Sequence, residues 1–112
     1  MSAAAGSGGW RPLVATVDVD VGTPKKIDLP GRPPLAVFHL EGGEFCVTDD
    51  TCTHGEASLC DGFVEGDEVE CPFHSGKFCV RDGRATAFPC EEPIRVYPVR
   101  LVDGQVCIEA ES

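Results

Sequence analysis

The sequence is poor in basic residues and contains no long apolar run. Nine Lys and Arg stand against nineteen Asp and Glu, which gives a formal net charge of −10. Because phosphate binding needs a basic surface, this balance argues against nucleic acid and against an anionic membrane surface as partners. No apolar run approaches the roughly 18–20 residues of a membrane span. The length of 112 residues therefore predicts one small soluble domain.

No secretory leader is expected either. Residues 1–9, MSAAAGSGG, have neither a basic start nor an apolar stretch after it, so we expect a flexible tail and a cytoplasmic protein. Without export, the odd number of seven cysteines does not favour a disulfide framework. Cys60 and Cys90 receive no role from the pattern. Three cysteines lie in strand-like patterns and are predicted to be buried: Cys46, Cys79 and Cys107.

No helical periodicity of useful length appears, and short alternating segments with Gly and Pro turns predict an all-β fold. Hairpin turns are predicted at EGGE (41–44), Gly66-Asp67 and Asp103-Gly104, with a further turn at RDGR (81–84). His39 is predicted to be a half-buried strand residue. Strands are predicted at TVDVDV (16–21), KKIDL (25–29), LAVFHL (35–40), FCVT (45–48), KFCV (77–80), and on both sides of the Gly66-Asp67 and Asp103-Gly104 turns.

Two short motifs concentrate possible metal ligands. CTHG contributes Cys52 and His54, and CPFHSG contributes Cys71 and His74, in a chain with only three histidines. Zinc accepts two Cys and two His, although zinc fingers usually place both cysteines before both histidines. Mononuclear copper usually takes two His, one Cys and a weak axial ligand. A Rieske 2Fe-2S centre, in which two His replace two Cys on one iron, suits the alternating order well.

The paired motifs resemble the cluster-binding motif of Rieske proteins. CTHG (52–55) and CPFHSGKF (71–78) carry the resemblance, which extends from about Trp10 to Glu109. It is closest to the Rieske ferredoxins of bacterial aromatic-ring-hydroxylating dioxygenase systems, of the biphenyl and naphthalene types. The segment LCDGFVEGDEVECPFHSGKFCVRDGRA (59–85) is particularly similar to that subgroup.

The resemblance implies one Rieske domain, residues 10–112, in which a sandwich or barrel of antiparallel strands carries a small cluster-binding lobe. The lobe is expected at about 46–81, inserted in a base formed by 10–45 and 82–112. The resemblance also implies one 2Fe-2S cluster. Its iron ligands would be Cys52 and Cys71 on the buried iron, and His54 and His74 on the outer iron.

Four positions depart from the respiratory Rieske proteins of the cytochrome bc type. Ala57 and Phe73 stand where those proteins have a disulfide, and Gly76 and Phe78 where they place serine and tyrosine hydroxyls against the cluster sulfurs. Hydrogen bonds to sulfur favour the reduced, more negative cluster, so their absence lowers the potential. The acidic Glu56 acts in the same direction. We therefore predict a potential of roughly −150 mV, at the low end of the Rieske range.

A low potential suits a one-electron carrier between an NADH-dependent flavoprotein reductase and a terminal Rieske oxygenase of aromatic-compound degradation, working as a monomer. No nucleophile–base pair is evident, so the chain is predicted not to be the catalyst, and no catalytic residue is assigned. The alternatives are a protein like the small subunit of nitrite reductase and a zinc-bound interaction module. The stretch from Glu41 to Glu70 holds ten acids and no Lys or Arg, which indicates either a solvated face or a docking surface for basic partners.

Overall fold

A computed structural model describes residues 9–53, 57–73 and 75–109 of the chain. Those residues form eleven strands and two short 3-10 helices. The helices are Thr16–Asp18 and Leu59–Asp61. The strands are β1 Trp10–Ala15, β2 Lys25–Ile27, β3 Leu35–His39, β4 Phe45–Asp49, β5 Phe63–Glu65, β6 Glu68–Glu70, β7 Lys77–Cys79, β8 Ala85–Ala87, β9 Val96–Tyr97, β10 Val99–Val102 and β11 Gln105–Glu109.

The strands pair into three antiparallel sheets. The first sheet has the order β1-β11-β10, the second β2-β3-β4-β9 and the third β5-β6-β7-β8. The predicted all-β fold of antiparallel strands is confirmed. The third sheet spans residues 63–87, whereas β4 pairs with β3 and β9 in the second sheet. The limits of 46 and 81 for a cluster-binding lobe stay a prediction.

Strand β3 lies at the centre of the packing because both of its faces are covered. Successive side chains of a strand point to opposite faces. Leu35 and Val37 enter a hydrophobic cluster with Val106 and Ile108 of the first sheet. The intervening Ala36 and Phe38 enter a second cluster. The second cluster also contains residues of the third sheet and of the loops next to it: Cys52, Ala57, Leu59, Val69, Cys71, Phe78, Val80, Cys90 and Ile94.

The predicted hairpins are present. Strands β3 and β4 pair from Leu35–Asp49 to His39–Phe45, and β5 and β6 pair on either side of the Gly66-Asp67 turn. At the last hairpin, Asp103 and Gly104 have φ of 51° and 76°. Two positive φ angles are what a two-residue hairpin turn requires, which explains the Asp-Gly pair.

The strand predicted over 16–21 is wrong. Its first residues form the 3-10 helix Thr16–Asp18, closed by the Val19 N–H donating to the Thr16 carbonyl at 3.3 Å. A strand would place Val17, Val19 and Val21 on one buried face. The structure buries Val19 but leaves Val17 84% exposed, so the alternation does not reflect a covered sheet face.

Proline accounts for two further differences. Strand β1 is absent from the predicted strands; it contains Pro12 and lies at the edge of its sheet, with a register shift between Pro12 and Val14. The predicted strand before the Asp103-Gly104 turn is divided at Pro98, because proline has no N–H for a ladder. Strand β9 pairs with β4, and β10 pairs with β11.

None of the helices in the described part of the chain combines the length and the apolar character that crossing a membrane requires.

Candidate metal centre

The two predicted ligand motifs form loops that close in the same way. In the first loop, residues 52–57, the Cys52 N–H donates to the Ala57 carbonyl at 2.9 Å. In the second loop, residues 71–76, the Cys71 N–H donates to the Gly76 carbonyl at 2.7 Å. Each bond therefore joins a cysteine amide to a carbonyl five residues later in the chain. Each motif histidine lies, by sequence, inside the segment that the bond closes.

Both loops bury the cysteine and expose a residue near the histidine position. Cys52 and Cys71 are 3% and 1% exposed and belong to one hydrophobic cluster. Thr53 and Phe73, which directly precede the histidines in sequence, are exposed. The other two predicted ligands, His54 and His74, lie outside the described residues, as does Glu56.

A third loop, residues 88–93, contacts the first two. Thr53 Oγ1 donates to the Glu92 carbonyl at 2.9 Å, and the Sγ atoms of Cys52 and Cys90 are 3.8 Å apart. The Cys90 N–H donates to the Ala87 carbonyl at 3.1 Å. Burial, followed by the hydrogen bond with Cys52, raises the pKa of the Cys90 thiol above its usual range. The sequence assigned Cys90 no role, and no local pattern marks a contact across 38 residues.

Gly76 packs directly against the third loop. A Cβ atom at this position would overlap Cys90 Sγ and lie 2.9 Å from the Cys90 backbone nitrogen. The serine of the respiratory proteins therefore does not fit at Gly76 while Cys90 occupies the space. Phe78, at the tyrosine position, is completely buried in the hydrophobic cluster around the loops.

The remaining cysteines have structural positions. Cys46, Cys79 and Cys107 are buried in β4, β7 and β11, which confirms the prediction for all three. Burial, with a smaller contribution from the charge of Glu44, raises the pKa of Cys46 to about 11. Cys60 lies in the helix Leu59–Asp61, where its N–H donates to Asp50 Oδ1 at 3.0 Å.

His39 has contacts of a structural kind. Its Nδ1 is 2.7 Å from the Val19 carbonyl, and its ring stacks on Phe45 with centroids 4.2 Å apart. It is half-buried, as predicted.

The acidic stretch 41–70 is divided by the fold. Asp50 is buried, and Asp49 accepts a 2.5 Å hydrogen bond from the Tyr97 hydroxyl. Arg81, from outside the stretch, forms ion pairs with Glu44 and with Asp67. These acids therefore have hydrogen-bond or ion-pair partners within the protein, or are buried. Three further carboxylates share a face of the third sheet with exposed Phe63, and Lys77 lies opposite the last of them: Glu65, Glu68 and Glu70.

The donor chemistry of the loops fits iron–sulfur ligation. Two buried thiols at equivalent loop positions supply the soft thiolate ligands that such a cluster needs. A family model described as the Rieske [2Fe-2S] domain matches residues 9–98. The chain belongs to the Rieske family.

Individual relatives show which type of Rieske protein this chain resembles. The ferredoxin component of the p-cumate 2,3-dioxygenase system of Pseudomonas putida is 47% identical, over 87% of this chain and 82% of that protein. The Sphingomonas yanoikuyae B1 ferredoxin has a TM-score of 0.88 at 44% identity, covering 92% of this chain and 100% of that chain. A structure of reduced oxygenase with oxidised ferredoxin in carbazole 1,9a-dioxygenase matches with a TM-score of 0.83 and 40% identity, covering 88% and 91%.

These likenesses favour an electron-transfer ferredoxin over the two alternatives. Structures described as nitrite reductase small subunits share the fold at 19% identity, which shows the fold alone. The ferredoxin relatives and the family model support one Rieske 2Fe-2S cluster rather than zinc. The chain is an electron-transfer component and not itself a catalytic enzyme.

Proposed function

We propose that this chain carries single electrons from an NADH-dependent flavoprotein reductase to a terminal Rieske oxygenase that hydroxylates aromatic rings. The support is the similarity to ferredoxin components of dioxygenase systems, together with the likeness to a ferredoxin that was solved with an oxygenase. A cytoplasmic monomer is part of the same proposal, because a shuttle must leave one partner before it meets the next.

We propose that Cys52 and Cys71 bind one iron of the cluster and that His54 and His74 bind the other. The equal closure of the two loops and the burial of both cysteines support this assignment. The bound cluster supplies a one-electron redox couple. Both thiols are buried in one hydrophobic cluster, where water has little access to them.

The observation that carries the proposal is the change from buried to exposed within each loop. Cys52 and Cys71 are buried, while Thr53 and Phe73, which directly precede the proposed histidine ligands in sequence, are exposed. Phe88 of the third loop is also exposed. These exposed residues would therefore offer a partner protein a surface next to the proposed histidine ligands, which keeps the path of an electron short.

The experiment is anaerobic stopped-flow mixing with each partner in turn. An NADH-reduced flavoprotein reductase should reduce the chain, and a terminal Rieske oxygenase should then reoxidise it, each with the amplitude of one electron per chain. A chain that the reductase reduces but that transfers nothing to the oxygenase would contradict the proposal.

The acidic face of the third sheet is the docking surface that we propose for a basic partner. Glu65 lies directly opposite Glu68, and like charges in that position destabilise a sheet. Electrostatic attraction to a partner mainly raises the association rate and is screened by salt. Raising the ionic strength should therefore slow reduction by the reductase.

A variant in which two of these carboxylates are replaced by neutral amides tests this surface at low salt. Glu65→Gln with Glu68→Gln should slow reduction several-fold and weaken its dependence on salt. The matched control is Glu109→Gln, an exposed acid at the end of β11 in the first sheet. Equal rates for both variants, or reduction that is independent of salt, would contradict docking at this face.

A further inference from the structure

Cys90 brings a second thiol to the proposed ligand Cys52 from a different part of the chain. Their Sγ atoms are 3.8 Å apart, within hydrogen-bonding distance for sulfur, and the two residues are 4% and 3% exposed. With so little exposure, water does not compete strongly for either sulfur. The contact joins the first loop to the third loop across the hydrophobic cluster that also contains Cys71.

The surrounding backbone holds the Cys90 side chain in this position. Its N–H donates to the Ala87 carbonyl, and the bare face of Gly76 leaves the space that Sγ fills. A Cβ at Gly76 would overlap that sulfur. Cys90 and Gly76 are therefore complementary: the second loop lacks a side chain where the third loop inserts one.

The chemistry of coordination decides the direction of the hydrogen bond. In the thiol form, either sulfur could donate to the other. A cysteine that binds iron does so as a thiolate, without a proton. Within this pair, the S–H of Cys90 is then the donor and the Cys52 sulfur the acceptor.

We propose that Cys90 is a positioning residue that donates its S–H to the Cys52 sulfur and raises the reduction potential of the cluster. Reduction adds negative charge, and a donor aimed at a ligand sulfur stabilises the more negative state. A thiol is a weak donor, so the effect is smaller than that of a hydroxyl and agrees with a low potential overall. This inference rests on the proposed ligand role of Cys52.

The test compares reduction potentials of purified, cluster-loaded variants by protein-film voltammetry. Cys90→Ala removes the donor and should shift the reduction equilibrium three- to tenfold toward the oxidised state; tenfold is about 59 mV for one electron. Cys90→Ser keeps a donor and should restore the potential to the parent value or above it. Cys107→Ala, which removes a buried thiol from β11, should leave the potential unchanged.

Resonance Raman spectroscopy of the iron–thiolate stretching bands provides a second measurement. The Cys52 band should move in Cys90→Ala and return toward the parent position in Cys90→Ser. If Cys90→Ala does not load a cluster, Cys90→Ser decides alone, and a potential below the parent contradicts the proposal.

A loaded Cys90→Ala variant with the parent potential would also overturn the inference. The electron-carrier function would still stand in that case, because the parent protein would keep its cluster and its reduction by the reductase. A parent protein without a Rieske-type paramagnetic resonance signal would overturn the function itself.

Discussion

The first and second loops reach the same closure with different sequences. Each loop joins a buried cysteine amide to a carbonyl five residues later, at 2.9 Å from Cys52 and 2.7 Å from Cys71. The first loop closes on Ala57, which is buried, and the second on Gly76, after Ser75 in the left-handed region at φ 62°. The shared element is thus the cysteine and the carbonyl that closes its loop, while the residues between them differ in sequence.

The loops also differ in how they meet the third loop. The first contacts it through side chains, with Thr53 Oγ1 on the Glu92 carbonyl and Cys52 against Cys90. The second contacts it through the bare backbone of Gly76. The third loop can approach both at once only because one of them lacks a side chain at the contact.

The largest effect is expected when the cysteine thiol is removed from either loop. Cys52→Ser and Cys71→Ser should each abolish the cluster, because a hydroxyl is a poor ligand for iron in place of thiolate. Iron content and visible absorption measure the loss. Cys46→Ser, at a buried strand position, is the control and should keep its cluster. A full cluster in either loop variant would contradict the ligand assignment.

A smaller effect is expected from adding one methyl group to the second loop. Gly76→Ala places a Cβ into Cys90 and should lower the free energy of unfolding by about 1–3 kcal/mol, as overpacking usually does. Urea denaturation measures the change. Gly9→Ala, where nothing lies within 4 Å of the new Cβ, should have little effect. Equal stability of the two variants would show that the third loop yields easily.

An effect of similar size is expected at the hydrogen bond between Asp50 and Cys60, which lie on either side of the first loop. Buried Asp50 accepts from the Cys60 N–H, so Asp50→Ala leaves that amide without its side-chain partner. The expected cost is about 1–3 kcal/mol of unfolding free energy, again measured in urea. Asp50→Asn keeps an acceptor and should lose less, and exposed Asp61→Ala should lose almost nothing. Equal losses for Asp50→Ala and Asp61→Ala would contradict this anchoring role.

The sequence predicted correctly those parts of the fold that depend on a few neighbouring residues, such as the hairpin turns. Asp103-Gly104 specifies its hairpin because both residues take positive φ. The strand predicted over 16–21 is wrong because an alternating pattern shows only which side chains could share a sheet face. It does not show whether another part of the protein covers that face. Val17 remains in solvent, and only Val19 reaches the core.

In the candidate site, too, features set by neighbouring residues were predictable and features set by tertiary contacts were not. Cys52 and Cys71 were identified from two short motifs, and the structure places both in one hydrophobic cluster. The role of Cys90 depends on a contact between distant segments and on the missing side chain of Gly76. Neither feature has a local sequence signal. Which acids of the stretch 41–70 are free to meet a basic partner also depends on tertiary contacts. Asp50 is buried, and Arg81 forms ion pairs with Glu44 and Asp67.

We propose that this Rieske protein is a low-potential one-electron carrier, and protein-film voltammetry of the purified chain measures that potential. We expect a single one-electron wave with a midpoint at roughly −150 mV, the low end of the Rieske range. A midpoint above roughly +100 mV, or a colourless protein that contains zinc and gives no wave, would contradict it.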